Sequence, residues 1–72
     1  MVYDFSVNIS ADRLLAMYRG DARYLVVRSS EGLTLRLPLS NFRPYVSDEG
    51  LQGLFQVVVD ERNRIRSLQK LG

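Results

Sequence analysis

The sequence predicts a small, β-rich α+β domain with the element order strand, helix and then four strands in two hairpins. Apolar and polar residues alternate at the start of the chain, a helical stripe follows, and alternation returns between three turn-forming sequences. Seventy-two residues allow one domain, residues 1–72, with a single thin core. Two versions of this fold stay open: a small bent antiparallel sheet, or a partly open SH3-like or Sm-like barrel with one short helix.

The first strand is predicted over residues 2–9 because apolar residues occupy every second position there. A helix is predicted over residues 10–19, with Ser10 as its N-cap and Asp12 in its first turn, where the helix dipole favours an anion. Its apolar stripe is formed by Leu14, Leu15, Met17 and Tyr18. Gly20 is expected to end the helix in the left-handed conformation.

The first hairpin is predicted over residues 22–29 and 33–39, because the turn Ser29-Ser30-Glu31-Gly32 fits a type I turn followed by a left-handed glycine. This turn pairs Val27 with Leu35 and Leu25 with Leu37. The predicted core face carries Leu25, Val27, Leu33, Leu35, Leu37 and Leu39, and the opposite face carries Tyr24, Val26, Arg28, Thr34, Arg36 and Pro38.

Similar turns are predicted at residues 47–50 and 60–63. The second of these joins the strands of the second hairpin, which are predicted over residues 53–60 and 64–70. Its register pairs Val59 with Ile65 and Val58 with Arg66. The predicted outer face of the last strand therefore carries Arg64, Arg66, Leu68 and Lys70. Between the hairpins we expect a helical turn at residues 40–42, then an extended stretch at 43–46, with the aromatic residues plugging one end of the sheet.

The composition argues against catalysis and metal binding. The chain has no Cys and no His, so it lacks disulfides, thiolate ligands, the usual zinc ligand and the commonest general base. Its adjacent carboxylates lie in predicted turns, and its five glycines show no phosphate-loop spacing. We therefore expect no catalytic residue, no cofactor and no metal. Without a signal-like or membrane-spanning segment, a cytoplasmic location is expected.

The arginines suggest a function in nucleic-acid binding. The net charge is only +2, but nine of the ten basic residues are Arg, whose planar forks suit phosphates and aromatic faces. Basic groups beside an exposed aromatic residue are typical of sheets that bind RNA or single-stranded DNA. The candidate residues are Tyr24, Arg28 and Arg36 in the first hairpin and Arg62, Arg64, Arg66 and Lys70 in the second. The competing interpretation is an ordinary solvated face.

A protein-interaction module or homodimer is the alternative function. It would use an open sheet edge or the loop from Phe42 to Val46, in which Phe42, Arg43 and Tyr45 could form an anchor for a partner.

The chain resembles a family of short bacterial proteins of about 70 residues, known only as a domain of unknown function. The resemblance extends over nearly the whole chain. It rests on residues 5–10, 18–20, 26–28 and 32–38, and continues with residues 39–46, 48–50, 53–55 and 64–68. It implies a single-domain bacterial cytoplasmic protein, and it brings no catalytic residue, cofactor or partner.

Overall fold

Two antiparallel sheets, one α-helix and one 3₁₀ helix make up the fold in a computed structural model that describes residues 1–72. The strands are β1 (Val2–Ser10), β2 (Tyr24–Arg28), β3 (Thr34–Pro38), β4 (Gly50–Val59) and β5 (Ile65–Lys70). The α-helix is α1 (Ala11–Arg19), and the 3₁₀ helix covers Leu39–Tyr45. The predicted β-rich α+β class and the predicted element order are confirmed.

The three-stranded sheet has the order β1-β4-β5 and joins the two ends of the chain. β1 and β4 pair antiparallel from Val2 opposite Val58 to Ser10 opposite Gly50. Residues that lie directly opposite each other on the two strands point to the same face of the sheet. Phe5 lies opposite Phe55, and both are buried. The paired strands β1 and β4 thus contribute the larger share of the buried core residues.

The two-stranded sheet is the β2–β3 hairpin, and its predicted register is confirmed. Leu25 lies opposite Leu37 and Val27 lies opposite Leu35. Gly32 has φ +85°, as the predicted turn requires. Leu33 is exposed, so its predicted place in the core was wrong: it lies in the turn, before β3 begins at Thr34.

The sheets enclose an aromatic core without closing into a barrel. The backbone N–H of Ser30 donates to the carbonyl of Asp4 at 2.8 Å where the end of β2 meets β1, but the two hairpins share no strand ladder. Phe42 stands edge-on to Phe55 at 5.5 Å between ring centroids, and Phe5 stacks on Phe55 at 5.8 Å. The strands do not close into a barrel, and they divide between two antiparallel sheets rather than forming the single bent sheet of the first predicted version.

Helix α1 begins where predicted but ends differently. The Ser10 side chain accepts a hydrogen bond from the backbone N–H of Arg13 at 3.3 Å, which confirms the N-cap. Gly20 has φ −86°, so the expected left-handed glycine was wrong. Asp21 takes that conformation instead, with φ +58°. Its N–H bonds the carbonyl of Tyr18, and the N–H of Ala22 bonds the carbonyl of Met17, which is the Schellman pattern.

Two further local predictions were wrong. The segment expected to be extended after residue 42 continues as a 3₁₀ helix through Pro44 to Tyr45, whose hydroxyl donates to the carbonyl of Leu68 at 2.7 Å. In β5 a bulge shifts the register, so that Val58 pairs with Ser67 rather than with Arg66. As a result Leu68 lies opposite Val57 and packs against the core. No helix of the structure has the length and apolar character to cross a membrane.

Candidate nucleic-acid interface

The outer face of the β2–β3 hairpin is open to solvent and carries the first group of predicted site residues. Inward-pointing Leu25, Val27 and Leu37 are buried, so their neighbours along each strand point outward. Tyr24 is 45% exposed, and Val26 beside it is 63% exposed. The complete face consists of Tyr24, Val26 and Arg28 on β2 and Thr34, Arg36 and Pro38 on β3. We call these six residues the hairpin face.

Tyr24, at one end of the hairpin face, and Arg36, in its middle, form a cation–π pair. The guanidinium carbon of Arg36 lies 4.1 Å from the centroid of the Tyr24 ring. Arg36 lies opposite Val26, so this contact is a diagonal one across the two strands. The cation–π contact orients both flat groups on the outside of the sheet, where a further flat group can stack on them.

Arg28 lies at the other end of the hairpin face, and its charge has no carboxylate partner. Its Nε donates to the carbonyl of Gly32 at 3.4 Å, which is long for a hydrogen bond. Across the molecule, the only ion pair is that of Arg64 with Asp60. Eight of the nine arginines are therefore free of carboxylates within 4 Å, and their charges are available to a ligand.

The β4–β5 turn is organised around the carboxylate of Asp60. Its Oδ1 accepts backbone N–H bonds from Arg62 at 2.9 Å and from Arg64 at 3.0 Å, and its Oδ2 lies 3.3 Å from Nε of Arg64. The backbone bond from Arg64 is the main cause that lowers the pKa of Asp60, and the nearby charge of Arg66 acts in the same direction. Asp60 thus partly neutralises Arg64, whereas Arg62 extends freely from the turn.

A groove connects the hairpin face to this turn. Thr34 and Arg36 of β3 line it on one side, and Val59 and Asn63 line it on the other, around a volume of about 330 Å³. Arg62 precedes Asn63 in the turn but does not line this groove; it lies with Asp60, Glu61 and Arg64 around a separate depression. The sequence analysis placed Val26 and Thr34 on this face but did not name them as site residues, and it missed Asn63, whose position beside the groove only tertiary packing reveals.

The other predicted basic residues do not join this surface. Lys70 lies opposite Phe55, on the core side of its sheet, and its alkyl chain lies against Gly53. The prediction that Lys70 shares one outward face with Arg64 and Arg66 was wrong, because the bulge in β5 exchanges the two faces. Arg66 is exposed but occupies the bulge itself, without a paired residue on β4.

The outer face of the three-stranded sheet is largely uncharged. Asp4 accepts a hydrogen bond from Nε2 of Gln56 at 3.2 Å, and Ser67 and Gln69 of β5 stand beside them on the same face. A basic sheet face therefore exists on the hairpin only. No cluster of three or more side chains of the metal-ligating types is present.

The 3₁₀ segment does not provide the aromatic anchor that the alternative function requires. Phe42 is fully buried, and Tyr45 is half-buried with its hydroxyl bonded to Leu68. Arg43 alone among the three proposed partner-binding residues is exposed. The expectation that the aromatic residues plug the core is confirmed at Phe42.

The fold and its surface define a small, open α+β domain with an exposed arginine–tyrosine sheet face. The chain belongs to the family DUF2835, described as a protein of unknown function, which it matches over residues 1–71. This confirms the resemblance seen in the sequence. No curated protein matches the chain, and no solved structure matches it either.

Proposed function

We propose that this protein is a non-enzymatic module of the bacterial cytoplasm that binds single-stranded nucleic acid, RNA or DNA, on its hairpin face. The observation that supports this best is the exposed Tyr24–Arg36 stack, with the free charge of Arg28 on the same face. An aromatic ring supplies stacking for any base, and guanidinium groups supply both stacking and charge for phosphates.

The hairpin face can bind a single strand without reading its sequence. The Tyr24 ring and the Arg36 plane offer flat surfaces to the bases, and Val26 adds apolar contact between them. Arg28 and Arg36 then provide charges for phosphates, and Arg62 supplies a further charge from the turn that begins beyond the groove, next to Asn63. Few groups take part, so binding should be weak, salt-dependent and tolerant of sequence.

Fluorescence anisotropy with short labelled oligouridylate and oligothymidylate strands, measured across a salt series, tests this function. With three arginines engaged, the log–log slope of the binding constant against salt should be about −2 on a single strand. The double variant Arg28→Ala/Arg36→Ala should flatten this slope by about 1. Tyr24→Ala should weaken binding by about 1–3 kcal/mol, and Tyr24→Phe should not, because phenylalanine keeps the ring.

The matched control is Arg13→Ala/Arg19→Ala, which removes the same charge from α1, outside the hairpin face. This control should leave most of the affinity in place. Equal losses in the two double variants would show that the net charge, rather than a site, attracts the strand. Absence of binding at low salt would contradict the proposed function altogether.

A further inference from the structure

A trough runs along one side of α1, between this helix and the segment of residues 39–48. Its apolar part has a volume of about 280 Å³ and is lined by Ala11, Leu14, Leu15, Tyr18 and Val46, with Ser47 and Asp48 at its end. The polar part has a volume of about 480 Å³ and lies at the other end of α1, between the Asp21–Arg23 loop and the residues Ser40 and Arg43. Tyr18 lines both parts, so the two cavities adjoin at this residue, and we call them together the α1 trough.

Only part of the apolar face of α1 is buried in the core, and the rest is exposed along the α1 trough. Residues 11, 14, 15 and 18 follow the spacing i, i+3, i+4 and i+7, so they share one helix face. Leu14 is 3% exposed and contributes to the core, but Leu15 is 48% exposed and Tyr18 is 37% exposed. Val46 is also exposed and faces them across the trough. These side chains leave an apolar surface with no cover from this chain.

Opposite charges stand at the two ends of the α1 trough. Arg23 and Arg43 line the end beside the C-terminus of α1, together with the single carboxylate of Asp21. Neither arginine lies within 4 Å of a carboxylate, so this end carries an excess of positive charge. Asp48 lines the end beside the N-terminus of α1 and is likewise unpaired. A ligand complementary to the trough is therefore anionic at one end, apolar in the middle and cationic at the other.

We propose that the α1 trough binds a short segment of a partner protein in which an acidic group, two or three apolar residues and a basic residue follow one another. A helix of nine residues is about 14 Å long, which about four residues of extended chain can span. The acidic group, a side chain or a terminal carboxylate, contacts Arg23 and Arg43, because guanidinium forks suit carboxylates. The apolar residues cover Leu15, Tyr18 and Val46, and the basic residue contacts Asp48.

This site is separate from the hairpin face and does not depend on nucleic-acid binding. Val26 of the hairpin face supplies a matched control, because it is an apolar residue at least as exposed as Leu15 and lies in a different element. Leu15→Ser and Val26→Ser should both keep the melting temperature close to that of the parent protein, because neither side chain is in the core. Leu15→Ser should also leave oligonucleotide binding unchanged, so the two functions can fail independently.

The test is selection of displayed random peptides on the purified full chain, followed by titration of the enriched peptides as synthetic samples. The enriched sequences should carry an acidic and a basic residue on opposite sides of an apolar pair or triplet. Leu15→Ser should lower their affinity at least tenfold, and Val26→Ser should not change it. Arg43→Glu, which does not alter the apolar surface, should replace the acidic preference at that end by a basic one.

Three results would overturn the proposal. The first is that no peptide is enriched over a Leu15→Ser control. The second is that the enriched peptides lack the charge pattern or do not respond to Arg43→Glu. The third is a concentration-dependent dimer in sedimentation velocity that Leu15→Ser abolishes, because the occupant of the trough would then be a second copy of this chain.

Discussion

Three short side chains of this protein act in the same way, each by organising the turn that follows it. Ser29, Ser47 and Asp60 each accept the backbone N–H of the residue two positions further along. Ser29 and Asp60 also accept the N–H four positions further along, at 3.1 Å and 3.0 Å. Such side-chain acceptors replace the backbone partners that a tight turn leaves missing. They explain why these turns could be predicted from local sequence.

Asp60 differs from the two serines because its contribution depends on pH. Since its pKa is lowered in the folded state, its carboxylate stabilises the fold above the unfolded-state pKa of about 3.9. That contribution is lost as the pH falls through the lower folded-state value. We expect Asp60→Asn to have a lower free energy of unfolding than the parent protein at neutral pH. In strong acid the two free energies of unfolding should become similar. Urea unfolding of both proteins across this pH range measures the difference.

Glu61→Gln is the control for the pH experiment, since it removes a neighbouring charge that makes no hydrogen bond or ion pair. A difference between Asp60→Asn and the parent protein that stays constant from neutral to acid pH would show that the charge of Asp60 is not what stabilises the turn.

Ser10 joins β1 to α1, and its removal should weaken the start of the helix. Ser10→Ala should lower the free energy of unfolding by about 1 kcal/mol, because the N–H of Arg13 loses its acceptor. Ser6→Ala provides the comparison, as Ser6 is an exposed serine of β1 without a capping role. Equal melting temperatures for the two variants would contradict a stabilising cap at Ser10.

At the scale of the elements, the first residue of β4 lies so close to the junction of β1 with α1 that it has no room for a side chain. Gly50 has φ +107°, and a Cβ atom there would meet the carbonyl oxygen of Ile9 and lie 2.6 Å from the carbonyl carbon of Ser10. These are backbone atoms that cannot move aside as a flexible side chain does. The start of β4 therefore fixes where β1 ends and where the helix begins.

Gly50→Ala should be strongly destabilising, by about 3 kcal/mol or more, because backbone strain and a steric clash act together. Gly32→Ala separates the two causes. Gly32 also has a positive φ, at +85°, but nothing lies within 4 Å of the added Cβ atom. Gly32→Ala should therefore lower the free energy of unfolding only by the backbone strain, about 1–2 kcal/mol. Denaturant unfolding of both variants gives the comparison, and equal losses would refute the clash at Gly50.

The elements show which kind of sequence signal predicts structure reliably. The β2–β3 register was predictable because a short turn of recognisable type fixes the pairing of the strands beside it. The bulge in β5 was not predictable. The apolar residues Ile65 and Leu68 fall on opposite faces of a regular strand, so the alternation does not fix the register, which is decided by packing against β4. The position of Lys70, and with it part of the predicted basic site, depended on that bulge. The left-handed residue of α1 was similarly misplaced by one, since Asp21 tolerates the conformation that Gly20 was expected to adopt.

At the scale of the whole molecule, the sequence could not show how its hairpins are arranged. Each hairpin is local, but the joining of β4 to β1 and the separation of β2–β3 into its own sheet depend on contacts between distant residues. The candidate interface follows the same division. Tyr24, Arg28 and Arg36 were predictable as one face of one hairpin, whereas the groove that brings Asn63 beside Arg36 exists only in the folded chain.

The pairing of the first strand with the fourth also determines the order in which the protein can assemble during its synthesis. β1 is made before its backbone partner, which begins only at Gly50 and ends at Val59. At ordinary translation rates the intervening residues take roughly 2–10 s to be made. During that interval Phe5, Val7 and Ile9 lack the strand that lies beside them in the folded protein. A nascent chain of this protein thus carries its core strand β1 unpaired until β4 has been made.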